Sequence, residues 1–269
     1  MPDDTIVLIH GLWLTPLSWQ NWVDRYQGKG YNVLAPAWPG MEGDIDEVRR
    51  NTKPYENLGV GEIADHYERI VRGLETPPII IGHSFGGLLT EILLDRGLGA
   101  AGVAVSPAPI KGIYFLPPSS LRVASVALRN PANRKRAVTL TPEQFHYGFT
   151  NTLSGEESRH LYHDYAVPGP GRVLFEGATA NLTPGSPLKV SPNGRAPLLL
   201  VANGKDHTVP ASVTKSAFKI QRKASSPTEL KEYPARPHFT CTMDGWEQVA
   251  DDVLEWAAQH ASTPAPAQA

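Results

Sequence analysis

Short apolar runs of strand length alternate along this chain with stripes of helical period. The runs are Thr5 to Ile9, Tyr31 to Ala35, Pro78 to Ile81, Ala101 to Val105, Pro197 to Val201 and, with charged residues at 229, 231 and 232, Thr228 to Tyr233. Segments that stay apolar on successive residues are buried on both faces, and helices between them must carry the chain across to the next parallel strand. The pattern therefore predicts an α/β fold with a doubly wound, mostly parallel six-stranded sheet. The helical stripes are Trp19, Trp22, Val23 and Tyr26, with Ser18 as the expected N-cap and Gly28 as the stop; Ile63, Tyr67, Ile70, Val71 and Leu74; and Leu88, Leu89, Ile92 and Leu93, stopped at Gly97. A last stripe, Val249, Val253 and Trp256, follows Asp244 as its expected cap.

The rhythm breaks between Ile110 and Leu188, where prolines and aromatics accumulate around Pro117-Pro118 and Pro168-Gly169-Pro170-Gly171. A structureless loop of that length does not suit a compact domain, so an inserted helical cap is expected, with helices near 142–151 and 155–165. The domain reading is an α/β core of residues 1–109 and 189–261, a cap of residues 110–188, and a mobile Ala/Pro tail of residues 262–269.

Hydrophobic residues make up 41% and charged residues 19% of the 269, the balance of a globular protein with a sizeable core. A formal net charge of -2 offers no attraction to nucleic acid or to an anionic membrane, so the expected partner is a small molecule. The single cysteine, Cys241, cannot close an intrachain disulfide. Met1-Pro2-Asp3-Asp4 runs straight into an apolar strand without the flanks of a signal peptide, and the expectation is a cytoplasmic enzyme.

Gly82-His83-Ser84-Phe85-Gly86 stands between a strand and a helical stripe, the context in which G-x-S-x-G forms a nucleophile elbow. A strand turning sharply into a helix leaves no room for side chains two residues either side of the serine. His10-Gly11-Leu12-Trp13 follows the first strand, and the backbone N–H groups of Leu12 and Phe85 are candidates for an oxyanion hole; His10 is read as structural. A serine hydroxyl needs an imidazole to take its proton, and that imidazole needs a carboxylate to orient it. Asp206 follows the strand Pro197 to Val201 and His238 follows the last strand, in the chain order Ser, Asp, His. His207 is the rival histidine, read as a packing neighbour. Trp13, Phe115, Phe145, Tyr147 and Phe149 are the candidate walls of an apolar pocket, although each alone is better read as glue between cap and core. No metal-ligand spacing, P-loop or dinucleotide fingerprint is present, so neither metal nor cofactor is expected.

With His10-Gly11, the elbow, Gly204-Lys205-Asp206 and Pro237-His238 in view, the chain resembles the α/β-hydrolase superfamily outside the variable cap. Its start at the first central strand resembles the compact methylesterase and hydroxynitrile lyase branch. The resemblance implies an α/β-hydrolase core and a Ser84–His238–Asp206 triad. Those lyases typically carry threonine at the position of Gly11 and lysine at that of Phe239, so cyanohydrin cleavage is disfavoured; serine at the elbow disfavours dehalogenase and epoxide hydrolase chemistry. The functional expectation is a serine hydrolase that cleaves carboxylic esters of mostly apolar small molecules through an acyl-enzyme. The alternatives are hydrolysis of lactones, thioesters or amides, a cofactor-free dioxygenase using His238 as base, and a small-molecule receptor on the same scaffold.

Overall fold

The computed structural model describes residues 5–191 and 194–261, so the expected tail of residues 262–269 lies outside the described residues. The elements follow in the order β1 (Thr5–Ile9), a 3-10 turn (Pro16–Trp19), α1 (Gln20–Gln27), β2 (Asn32–Leu34), α2 (Ile45–Arg50), α3 (Val60–Arg72), β3 (Ile79–His83), α4 (Phe85–Asp95) and β4 (Ala101–Val105). The cap contributes α5 (Pro118–Leu128), a 3-10 turn (Pro131–Lys135), β5 (Ala137–Val138), α6 (Pro142–Phe149), α7 (Gly155–Tyr165), β6 (Gly169–Pro170) and α8 (Gly171–Thr179). The core then resumes with β7 (Leu198–Asn203), α9 (Ala211–Gln221), β8 (Thr228–Tyr233) and α10 (Trp246–Ala261).

The main sheet has the order β2-β1-β3-β4-β7-β8 with every pair parallel, as the alternation requires. Successive side chains of a strand point to opposite faces, so each central strand feeds two cores. Val7, Ile9, Ile80, Leu198 and Leu200 pack with α3, α4 and the cap. Ile6, Leu8, Ile79, Ile81, Leu199 and Val201 pack with Trp19, Trp22 and Tyr26 on one side chain stripe and Val249, Val253 and Trp256 on another.

Two expected caps are corrected. Ser18 lies inside the first 3-10 turn, where its hydroxyl donates to the Thr15 carbonyl at 2.8 Å, and Thr15 caps that turn by accepting from the Leu17 N–H. Pro16 at the first helical position explains the earlier start, because its missing N–H costs nothing there. The last helix opens at Trp246 after Gly245 (φ 78°), rather than directly on Asp244.

The two helices expected in the cap are α6 and α7, each opened by a capping box: Thr141 with Gln144, and Ser154 with Glu157. Pro117-Pro118, read as a break, instead launches α5, with Pro118 inside its first turn. Pro168 to Gly171 forms the short β6 pairing with β5, then the start of α8. Among the described residues no helix is long and apolar enough to cross a membrane.

Candidate active site

Ser84 joins β3 to α4 with φ 57° and ψ -120°, a left-handed conformation that a non-glycine residue adopts only under constraint. The constraint is on both sides. The Ser84 N–H donates to the Val105 carbonyl at 2.9 Å, and the Ser84 carbonyl accepts from Leu88 at 3.1 Å and Ala108 at 2.9 Å. The turn can be this sharp only without side chains at its flanks: a Cβ on Gly82 would lie 2.0 Å from the Gly86 carbonyl oxygen, and one on Gly86 2.0 Å from that of Ile9. The Phe85 N–H, at the first turn of α4, belongs to the set that a helix leaves without intrahelical partners.

Asp206 follows β7 and is buried, as is His238 after β8. The His238 Nδ1–H donates to Asp206 Oδ2 at 2.7 Å, while Asp206 Oδ1 accepts from the N–H groups of Thr208 at 2.8 Å and Val209 at 2.7 Å. With its other nitrogen so engaged, the buried His238 Nε2 hydrogen bonds to no described protein atom and is left as an acceptor.

Around this pair, His83, Asn203 and Ser106 were not singled out from the sequence. His83, the middle residue between Gly82 and Ser84, donates from Nε2 to the His238 carbonyl at 2.9 Å, and the two rings lie 4.6 Å apart. Burial first, then the adjacent His238 and His10 rings, pulls the His83 pKa well below the ordinary histidine value, so it stays neutral. Asn203 at the end of β7 donates to Ser106 Oγ at 3.0 Å, and Ser106 itself is held at φ 45° at the end of β4. The ring of Phe149 meets that of His238 edge-on at 4.8 Å.

His10 is structural: it donates from Nδ1 to the Gly11 carbonyl at 3.0 Å, accepts from the Trp38 N–H at 3.2 Å, and burial lowers its pKa to about 4. His207 is turned to the cap, its Nδ1 donating to the Tyr147 carbonyl at 3.0 Å. Burial pushes the Cys241 thiol far up, which leaves it protonated and inert.

Leu12, Trp13, Ser84 and Phe85 share one cavity of about 210 Å³ with residues of α5, α8 and α9. No wall carries a charge; beyond Ser84, the hydroxyls are those of Ser120 and Thr208. Of the five aromatics expected here, only Trp13 is a wall. Phe145 and Phe149 are buried and stack at 5.0 Å; Phe145 also meets Phe239 at 5.7 Å, which joins the cap to the His238 loop. Tyr147 lies under the Arg122 guanidinium in a separate depression, and Phe115 is exposed. The actual walls are aliphatic: Leu116, Leu121, Val123, Ala124, Leu128 and Leu174 from the cap, and Val209 and Val213 from the core. For the walls on α5 itself, only its helical period, hidden behind Pro117-Pro118, could have pointed to them.

No curated protein sequence matches this chain. Among solved structures it is similar to a monoacylglycerol lipase of Paleococcus ferrophilus (20% identity, TM-score 0.65, covering 95% of this chain and 94% of the other). It is also similar to a methylesterase from Arabidopsis (14%, 0.65, 95% and 99%) and to a pyrethroid hydrolase of Sphingobium faniae JZ-2 (20%, 0.65, 97% and 99%). At these identities the likeness is one of fold. The family model described as "Alpha/beta hydrolase family" matches residues 6–253. With nearly the whole chain so matched, the protein is a member of the α/β-hydrolase family.

Proposed function

We propose that the protein is a serine hydrolase that cleaves carboxylic esters carrying a mostly apolar acyl or alcohol group. The observation that carries this reading is the strained Ser84 on the wall of an uncharged cavity, together with a buried His238–Asp206 pair whose free imidazole nitrogen is an acceptor and whose His238 carbonyl is bonded by His83, the residue before Ser84. In the reaction Ser84 Oγ attacks the ester carbonyl carbon as His238 Nε2 takes the hydroxyl proton. Asp206 fixes the imidazole tautomer and stabilises the imidazolium that forms. The backbone N–H groups of Leu12 and Phe85 receive the negative charge on the carbonyl oxygen. Collapse of the tetrahedral intermediate passes the proton to the departing alcohol and leaves an acyl-Ser84, which water then cleaves with His238 as base. A cavity without charged walls favours substrates whose binding energy comes from apolar burial.

The test combines an active-site serine probe with turnover of p-nitrophenyl esters. Wild type should be labelled and active, and Ser84→Ala neither. A wild type that takes no label and turns over no ester would favour a receptor or dioxygenase on the same scaffold.

A further inference from the structure

The net charge of -2 conceals an uneven distribution. No Asp or Glu lies between Asp95 and Glu143, whereas Lys111, Arg122, Arg129, Arg134, Lys135 and Arg136 do. None of these six cations makes an ion pair among the described residues. Lys111 is turned to the Thr183 carbonyl, Arg122 lies 3.9 Å from the Tyr147 ring centre, and the other four are exposed. Glu143 shares one depression with Arg122 and Arg129 without an ion pair to either, and Glu176 on α8 is already bound to Arg172 and to the Val60 N–H.

The segments that precede α5, form it and follow α8 carry large apolar side chains in water: Tyr114 (83% exposed), Phe115 (73%), Leu121 (52%) and Leu182 (85%). They lie on segments that border the cavity. Leu121 is one of its walls, as is Leu116 beside Phe115, and the Asn181 side chain ties the backbone of Gly112 and Ile113 to the segment bearing Leu182. A freely diffusing protein gains nothing from clustering exposed apolar residues among unpaired cations. A surface with an apolar interior and an anionic face satisfies both at once.

We propose that this face docks on an anionic lipid bilayer, with Tyr114, Phe115, Leu121 and Leu182 entering the headgroup region inside a basic rim, so that the cavity opens at the lipid surface. A lipid surface is favoured over an acidic protein because the apolar residues lie on the segments that wall an uncharged cavity, where a bilayer supplies apolar contact and a charged protein surface does not. The inference is independent of the role of Ser84.

The test is co-sedimentation of the full chain with vesicles of phosphatidylcholine alone and of phosphatidylcholine mixed with phosphatidylglycerol. Binding should be strong to the mixed vesicles, weak to the neutral ones, and should fall as salt is raised. The variant R134A/K135A should lower the partition coefficient about five-fold per charge removed. F115S/L182S should weaken binding further, whereas K29A/K231A, outside this face, should leave it unchanged. All these positions are at least partly exposed, so each variant should melt with the wild type. No sedimentation with mixed vesicles, equal sedimentation with both lipids, or unchanged partition of R134A/K135A would overturn the proposal. So would a dimer abolished by F115S/L182S without vesicle binding, which would place a second copy of the chain on this face.

Discussion

His238 Nδ1 lies 2.7 Å from Asp206 Oδ2 with both side chains fully buried, and the other carboxylate oxygen is already held by two backbone N–H groups. The carboxylate therefore cannot rotate away, and the imidazole can keep its free nitrogen only as an acceptor. Asp206→Asn would face the ring with an amide that can donate, which reverses the tautomer. The loss in kcat should be on the order of 10⁴-fold, against about 10⁶-fold for Ser84→Ala or His238→Ala. Single-turnover kinetics of the three variants check the order; an Asp206→Asn enzyme of near wild-type kcat would remove Asp206 from the mechanism.

The elbow makes a different prediction, about folding. Gly86→Ala places a Cβ against the Ile9 carbonyl oxygen, backbone that no side-chain rotation can relieve. The β1 and β3 strands would have to separate at the point where their register runs Ile9 to Gly82. A loss of several kcal/mol, roughly the upper end for single substitutions, is expected. Thermal melting of Gly86→Ala within a degree or two of wild type would show that the strands tolerate the shift.

Stability should also depend on pH through Glu91 of α4. Its buried carboxylate accepts from Gln221 Nε2 at 2.6 Å, and burial raises its pKa to about 7 against the opposing pull of Gln221 and Arg195. The folded state then holds a proton that the unfolded chain releases, so this group's contribution is fully present below its ordinary pKa of 4.5 and is lost as pH rises through about 7. Glu91→Gln keeps the acceptor for Gln221 and never ionises. It should melt near wild type at about pH 5 and above it at about pH 8, by on the order of 3 kcal/mol or less. A gap that narrows with rising pH would reverse the assignment.

The positions of Ser84, Asp206 and His238 were legible because the elbow and the strand ends leave little freedom: glycine is forced at 82 and 86, and Asp206 and His238 follow late strands. His83, Ser106 and Asn203 were not, because their work is to bond backbone or one another across strands distant in sequence, and no local pattern records such a pairing. The pocket was misjudged for a related reason. Aromatic content marks Phe145 and Phe149, but large rings are the best fillers of the seam between cap and core, so they were buried there and aliphatic residues of α5 and α8 were left to line the cavity. Whole-chain net charge was similarly uninformative, since it averages the acid-free start of the cap, residues 110–142, with an acidic remainder.

That reassignment of the pocket changes which substitution should tune chain-length preference. Each methylene buried in an apolar cavity contributes about 0.8 kcal/mol, so kcat/KM should rise about four-fold per carbon until the cavity is full and then fall. Ala124 is a wall at mid-length of α5, and Ala124→Phe would fill part of the roughly 210 Å³ without touching Ser84, Asp206 or His238. Its optimum should move to shorter acyl chains while turnover of an acetate ester stays close to wild type. Phe145→Ala, by contrast, removes a fully buried ring from the seam, so it should destabilise the protein by about 3–5 kcal/mol and leave the position of the optimum alone. Acyl-chain profiles and melting curves measured on both variants separate the two roles. If Phe145→Ala shifts the optimum and Ala124→Phe does not, the aromatic seam rather than the aliphatic cavity receives the substrate, and the assignment of the pocket is wrong.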